Sequence, residues 1–179
     1  MALRVVALTR SHRALLKGFR NQHPSLVEYL QRFALRHAER DLLARTYLAL
    51  DGDGEGARVA GYFSLATVSV ERASASVVAS LDRLPRFPIP GVLLARLAVD
   101  ERVQGQGLGR YLFDEALGRT LALTRAGPVA FRLLVTDAID AGAARFYERF
   151  GLARLGDAYP CRMVLDLAPL VAAQGLDDG

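Results

Sequence analysis

Cysteine is almost missing from this chain of 179 residues. Cys161 stands alone, so neither a disulfide framework nor a cysteine-based metal site can be built, and in its alternating apolar segment it reads as a small buried hydrophobe. Lysine is as scarce: Lys17 is the only one, and nearly all the positive charge is carried by arginine. Histidine is confined to His12, His23 and His37 near the N-terminus, which read as surface or capping residues. No apolar run approaches the roughly 20 residues that a membrane span needs. The opening MALRVVALTR has neither a long apolar core nor a small-residue cleavage site, so the expectation is an untargeted, cytoplasmic protein with no membrane partner. The acidic cluster DGDGEG is not a calcium loop, because no twelve-residue ligand pattern with a closing glutamate follows.

What is present is the composition of a folded domain. Hydrophobic residues make up 51% and charged residues 23%, enough for a single domain over 1–179 with a proper core. The net charge of +4 permits an anionic partner without naming one. LRVVALTR reads as a first strand, followed by a polar, basic stretch from Ser11 to Gln22. From Pro24 to about Arg45, Leu26, Leu30 and Phe33 recur at helical spacing, with Arg32, Arg36 and Arg40 as a stripe on that helix. The stripe reads as a solvated face or as a contact for an anionic substrate. RTYLAL and RVAGYFSLATVSVE are strands joined through DGDGEGA as a hairpin, and Ala73 to Pro90 is ambiguous. VLLARLAVD is a buried strand; Leu108, Leu112, Ala116 and Leu121 mark a helix face. VAFRLLVT, the helix AGAARFYERF ended by Gly151, and the strand CRMVLDL follow, with VAAQGLDDG expected to fray. Hairpins early and strand-helix-strand units late predict an α/β or α+β domain with a mixed sheet.

The chemistry concentrates in VDERVQGQGLGRYLF. A strand that ends in a glycine-rich turn and opens a helix gathers unpaired backbone N–H groups at the positive end of the helix dipole, which suits phosphate or pyrophosphate. Arg102 and Arg110 add positive charge at its two edges. A P-loop would need lysine and a hydroxyl where Arg110 and Tyr111 stand, and the G-x-G-x-G spacing is not the dinucleotide fingerprint.

These residues resemble the Q/R-x-x-G-x-G/A pyrophosphate loop of the GNAT superfamily of N-acetyltransferases, with Gln104, Gly105, Gly107 and Gly109 on its key positions. DAGAARFYERFGL resembles the family's A-x-x-F-Y-x-x-x-G-F helix, with Leu152 in place of phenylalanine. The likeness covers about Val59 to Leu167 and implies a mixed central sheet, flanked by helices, whose two parallel strands VLLARLAVD and VAFRLLVT splay apart. By that resemblance the backbone of Leu97, Ala98 and Val99 carries the pantetheine arm of acetyl-CoA. The turn, with Arg102, Gln104, Gly105, Gln106, Gly107, Leu108, Gly109 and Arg110, holds the pyrophosphate. Tyr147 matches the tyrosine beside the leaving sulfur and is expected to protonate or hydrogen-bond it. Asp137, at the end of the second splayed strand, is a cofactor contact or, like Glu71, a base acting through water. No metal is implied.

A narrower resemblance joins LLARLAVDERVQGQGLGRYLFDEAL, SLVEYLQRFALRH and RVAGYFSLA to the TacT-type acetyltransferase toxins of toxin-antitoxin pairs, which acetylate the α-amine of aminoacyl-tRNA. Arg96 matches an arginine usual in that strand; its alternative is a structural ion pair. FRNQHPSL departs from the group's F-x-C-G, having neither the cysteine nor the glycine. The resemblance implies an aminoacyl-tRNA acceptor, a ribbon-helix-helix antitoxin and a homodimer. Small amines or protein N-termini remain alternative acceptors, and a noncatalytic acyl-CoA-sensing module an alternative role.

Overall fold

A computed structural model describes residues 3–75, 78–85 and 87–176. The chain divides into two compact units, one of Met1–Ala66 with Ala95–Ala116 and one of Thr67–Leu94 with Leu117–Gly179.

In the first unit β1 (Leu3–Ala7) leads through a turn capped by Thr9 into the short helix α1 (Arg13–Leu16). The stretch that read as merely polar therefore holds helical turns, and His12 does cap: its Nδ1 accepts from the Thr9 amide at 3.1 Å. Pro24, pre-set for a first helical position, opens α2 (Pro24–Glu28). A π-helical turn, Tyr29–Phe33, then inserts an extra residue before α3 (Ala34–Glu39). That insertion corrects the sequence expectation of a regular helix to about Arg45. The extra residue rotates the apolar face, so Leu30 and Ala34 are buried while Phe33 is 39% exposed. The helix stops at Glu39 because the amides of Arg40 and Asp41 both fold back on the Arg36 carbonyl, and Leu42 takes a left-handed φ of 54°.

β2 (Arg45–Asp51) pairs antiparallel with β1 and with the start of β3 (Arg58–Val70), the expected hairpin. Its turn is made by Gly52 and Gly54 at φ 81° and 60°. Leu16, Phe19, Leu30, Leu48, Leu50, Tyr62 and Ala98 share one core, each large side chain contributing about 1.5–3 kcal/mol. Ala98 comes from β4 (Ile89–Val99), after which α4 (Leu108–Ala126) begins. Gly61 is required by close approach, since a Cβ there would lie 2.7 Å from the Leu112 side chain and 2.8 Å from the Ala98 carbonyl.

In the second unit the first half of β4 runs parallel to β5 (Leu133–Ala138), paired from Gly91↔Leu133 to Leu94↔Thr136. β5 starts later than the expected Val129 and extends two residues beyond Thr136. α5 (Ala141–Glu148) follows, its first turn capped by the Asp140 carboxylate on the Ala143 amide at 2.8 Å, and Gly151 ends the segment at φ 85°. The two-residue β6 (Ala153–Arg154) pairs with β7 (Cys161–Asp166), which is antiparallel to β5. The tail expected to fray is instead α6 (Ala168–Leu176), with residues 177–179 outside the described residues. Its start is fixed by Asp166, which accepts from the Ala168 amide at 3.0 Å and from Arg132 at 2.6 and 2.8 Å. Between β3 and β4, where the sequence was ambiguous, lie two short helical turns, Arg72–Ala75 and Ala79–Leu81. Leu81, Ile89, Leu133, Val135 and Val164 form the core here. Cys161 is buried, as its surroundings in the sequence implied.

The strands are ordered β1-β2-β3-β4-β5-β7-β6, a mixed sheet flanked by helices. Among the described residues no helix is long and apolar enough to cross a membrane.

Candidate acyl-transfer site

The glycine turn divides its labour. Gly105 and Gly107 sit at φ 78° and 80°, in the left-handed region, with open space where a side chain would project. They are glycine for conformation rather than for room. Gly109 lies inside α4, among the first-turn residues whose amides lack an intrahelical partner. The Gly107 carbonyl accepts from the Tyr111 amide at 3.1 Å, closing the first turn of the helix. A 19-residue helix thus starts directly beneath the turn, and an anion on it meets unpaired amides and the positive helix end together.

Arg102, expected to add positive charge at one edge of the turn, is ion-paired. Its Nε and one terminal nitrogen grip the two oxygens of Asp100 at 2.7 Å each, and the same terminal nitrogen donates to the Gly18 carbonyl at 2.8 Å. Asp100 is 1% exposed and also accepts from the amides of Arg102 at 3.0 Å and Arg20 at 2.9 Å. Burial alone would raise this carboxyl; the Arg102 guanidinium and the two amides outweigh it and hold it below the usual carboxylate range. Arg110, by contrast, is exposed, with Asp114 at 3.6 Å. The Val99 carbonyl accepts from Asn21 at 2.8 Å and from Gln104 at 3.2 Å, so Gln104 braces the end of β4 with its side chain. Asn21 stands in FRNQHPSL, where the departure from the F-x-C-G pattern falls; its Oδ1 also accepts from the His23 amide at 2.9 Å. Asn21 was missed in the sequence because its partner Val99 lies 78 positions away, and one of the donors to Asp100, the Arg20 amide, lies 80 away.

In the second unit Tyr147 is 8% exposed on the inner face of α5. Burial pushes its phenol up to about 12, with the Thr136 hydroxyl opposing. Thr136 in turn donates to the Leu94 carbonyl at 3.0 Å. Tyr147 is therefore tied to the last pair of the β4–β5 ladder, Leu94↔Thr136, and is a neutral donor at physiological pH. Asp137 is gripped by Arg162 at 2.9 and 3.0 Å. Glu71 is exposed at the end of β3.

On the first unit Arg96 is exposed, its guanidinium 5.0 Å from the centre of the Tyr29 ring. It makes no ion pair with a carboxylate among the described residues, so the structural ion pair weighed from the sequence is not formed there. The arginine stripe is largely compensated: Arg32 meets Glu28 at 3.1 Å and Arg36 meets Asp41 at 2.8 Å.

The first unit has a strand that ends in a glycine-rich turn opening a helix, and the second a buried tyrosine at the end of a parallel ladder; these are features suited to an acyltransferase. The profile of the acetyltransferase (GNAT) domain matches residues 44–151, and the chain belongs to that family. It is an acetyl-CoA-dependent N-acetyltransferase, as the resemblance implied. Among curated relatives, a tRNA-acetylating toxin of Mycobacterium tuberculosis is 34% identical over 133 residues, covering 74% of this chain and 75% of the relative. Among solved structures, AtaT complexed with acetyl-methionyl-tRNAfMet superposes with a TM-score of 0.85 at 25% identity, over 97% of this chain and 99% of the other. An AtaT mutant toxin bound to the C-terminus of the antitoxin AtaR gives 0.78 at 25% identity, over 97% and 96%.

Proposed function

We propose that the chain, acting as one domain over 1–179, transfers the acetyl group of acetyl-CoA to the α-amine of aminoacyl-tRNA, as a cytoplasmic toxin of a toxin-antitoxin pair. The observation that carries the acceptor is the 34% identity, across three quarters of both chains, to a tRNA-acetylating toxin. The acetylated tRNA held by AtaT supports the same acceptor class, and AtaR bound to AtaT supports an antitoxin as partner, for which the reading takes the ribbon-helix-helix type. A homodimer completes the reading.

The chain's own groups divide the work. The amides of the turn from Gln104 to Arg110 hold the pyrophosphate, with Gly105 and Gly107 setting their direction. Arg102 serves the site through Asp100, holding the turn in shape. The backbone of Leu97, Ala98 and Val99 carries the pantetheine arm, and an N–H of this strand faces the carbonyl oxygen as negative charge develops on it. The amine nitrogen attacks the thioester carbon, the C–N bond forms, and the C–S bond breaks with its electron pair leaving on sulfur. Tyr147 donates a hydrogen bond to that sulfur. Its phenol, near 12, lies well above an ordinary thiol of about 8.5, so complete transfer of its proton would cost about 5 kcal/mol. Tyr147 thus stabilises the thiolate by donation, and the net proton comes from the amine.

The test is product formation from acetyl-CoA and charged tRNA, resolved by mass spectrometry of the released aminoacyl group. An acetylated α-amine is expected; acetylation of small amines or peptide N-termini alone would transfer the enzyme to another acceptor.

A further inference from the structure

The acceptor amine reaches a protein as an ammonium ion and must lose a proton before it can attack. Among the described residues Asp137 is ion-paired with Arg162, Glu71 is exposed, and His37 packs edge-on against the Tyr29 ring. The first unit holds a charge of the opposite kind. Arg96 shares a face of β4 with Ala98, which is buried among Tyr29 and Tyr62. Its guanidinium lies 5.0 Å from the centre of the Tyr29 ring, and NH1 donates to the Ala95 carbonyl at 2.6 Å. The titratable groups around it are Tyr29 and His37 from the helix and Tyr62 from β3; none of them is a carboxylate. Arg32, Arg36 and Arg102 each meet an aspartate or glutamate, whereas Arg96 meets an aromatic face.

Tyr29 is a platform by its ring and not by its hydroxyl. It opens the π-helical turn, stacks on Tyr62 at 6.3 Å and 17°, and takes His37 edge-on at 5.6 Å. Its hydroxyl is buried with no hydrogen-bond partner, while that of Tyr62 donates to the Leu26 carbonyl at 2.7 Å. A guanidinium laid on that ring keeps its positive charge with no carboxylate partner among the described residues.

Resting on the acceptor reading above, we propose that Arg96 is the acceptor-facing cation of the site: seated on Tyr29, it keeps the bound aminoacyl α-amine neutral and nucleophilic, in place of a general base. A like charge nearby disfavours the ammonium form, so the proton passes to solvent as the acceptor docks. The freed lone pair then attacks the thioester carbon and the thiolate leaves. An α-amine of ordinary pKa about 8 needs only a modest push to be reactive at neutral pH.

The experiment is kcat against pH at saturating acetyl-CoA and aminoacyl-tRNA, because kcat reports ionisations of the bound complex. Replacing Arg96→Gln moves the midpoint of the acid limb up by about half to one pH unit while the alkaline plateau changes little. Arg96→Lys, which keeps the charge, moves it less. Tyr29→Phe keeps the wild-type profile, whereas Tyr29→Leu removes the platform and shifts the profile as Arg96→Gln does. An Arg96→Gln midpoint equal to wild type, at whatever rate, overturns the proposal alone. Wild-type enzyme that acetylates no aminoacyl-tRNA overturns the acceptor reading and this proposal with it.

Discussion

At Tyr147 burial keeps the phenol protonated far into alkali, which suits the role proposed for it as a donor to the leaving sulfur. Replacing Tyr147→Phe should lower kcat about 100-fold with acetyl-CoA affinity within about twofold, checked by steady-state kinetics and calorimetry. An unchanged kcat removes Tyr147 from the mechanism. Asp100 acts differently, through shape. Its folded pKa is depressed, so its stabilising contribution is complete above the unfolded value of about 4 and is lost as pH falls through the folded one. Asp100→Asn should cost about 2 kcal/mol at neutral pH and flatten the acid side of a melting-temperature profile. Asp166, lowered by Arg132 and Ser80 against its burial, retains the remaining acid sensitivity. Tyr147 was legible in the sequence because its motif is local. Asp100 was passed over because a carboxylate near a phosphate turn looks wrong until Arg102 is seen closing on it.

Among the elements, the turn was the most legible, since glycine at alternate positions between a strand and a helix leaves few conformations. Gly107→Asp should weaken acetyl-CoA binding by roughly tenfold or more, because a left-handed residue with a Cβ is strained by about 1–2 kcal/mol and the carboxylate repels the pyrophosphate. Calorimetry measures it, and intact affinity would remove the pyrophosphate from this turn. The π turn was illegible: a 3.6-residue period tracks Leu26, Leu30 and Phe33 smoothly and cannot register one inserted residue, so Phe33 was placed inside and Tyr29 overlooked. The helical tail was misjudged for a similar reason, its start depending on the Asp166 carboxylate rather than on its own apolar pattern. Gly61 shows the converse, a residue with no motif whose identity packing dictates. Gly61→Ala should destabilise by about 1–3 kcal/mol, read as a lowered melting temperature, because Leu112 and the Ala98 carbonyl already occupy the space.

For the whole molecule, a net charge of +4 suits a polyanionic acceptor, and the salt dependence of binding counts the phosphates engaged. With Arg32 and Arg36 already bridged to Glu28 and Asp41, replacing Arg32, Arg36 and Arg40 together by glutamine should lower the slope of log affinity against log salt by about one rather than three. The mixed sheet was legible from the order of hairpins and strand-helix-strand units, and the acceptor class from the motifs of the narrower resemblance; the side-chain pairings around Arg96 and Asp100 were not, because they join distant segments. The most direct measurement is free-thiol release from acetyl-CoA with charged total tRNA, uncharged tRNA, small amines and peptides offered separately. Release with charged tRNA alone is the predicted result; release with amines or peptides and none with charged tRNA would contradict the account.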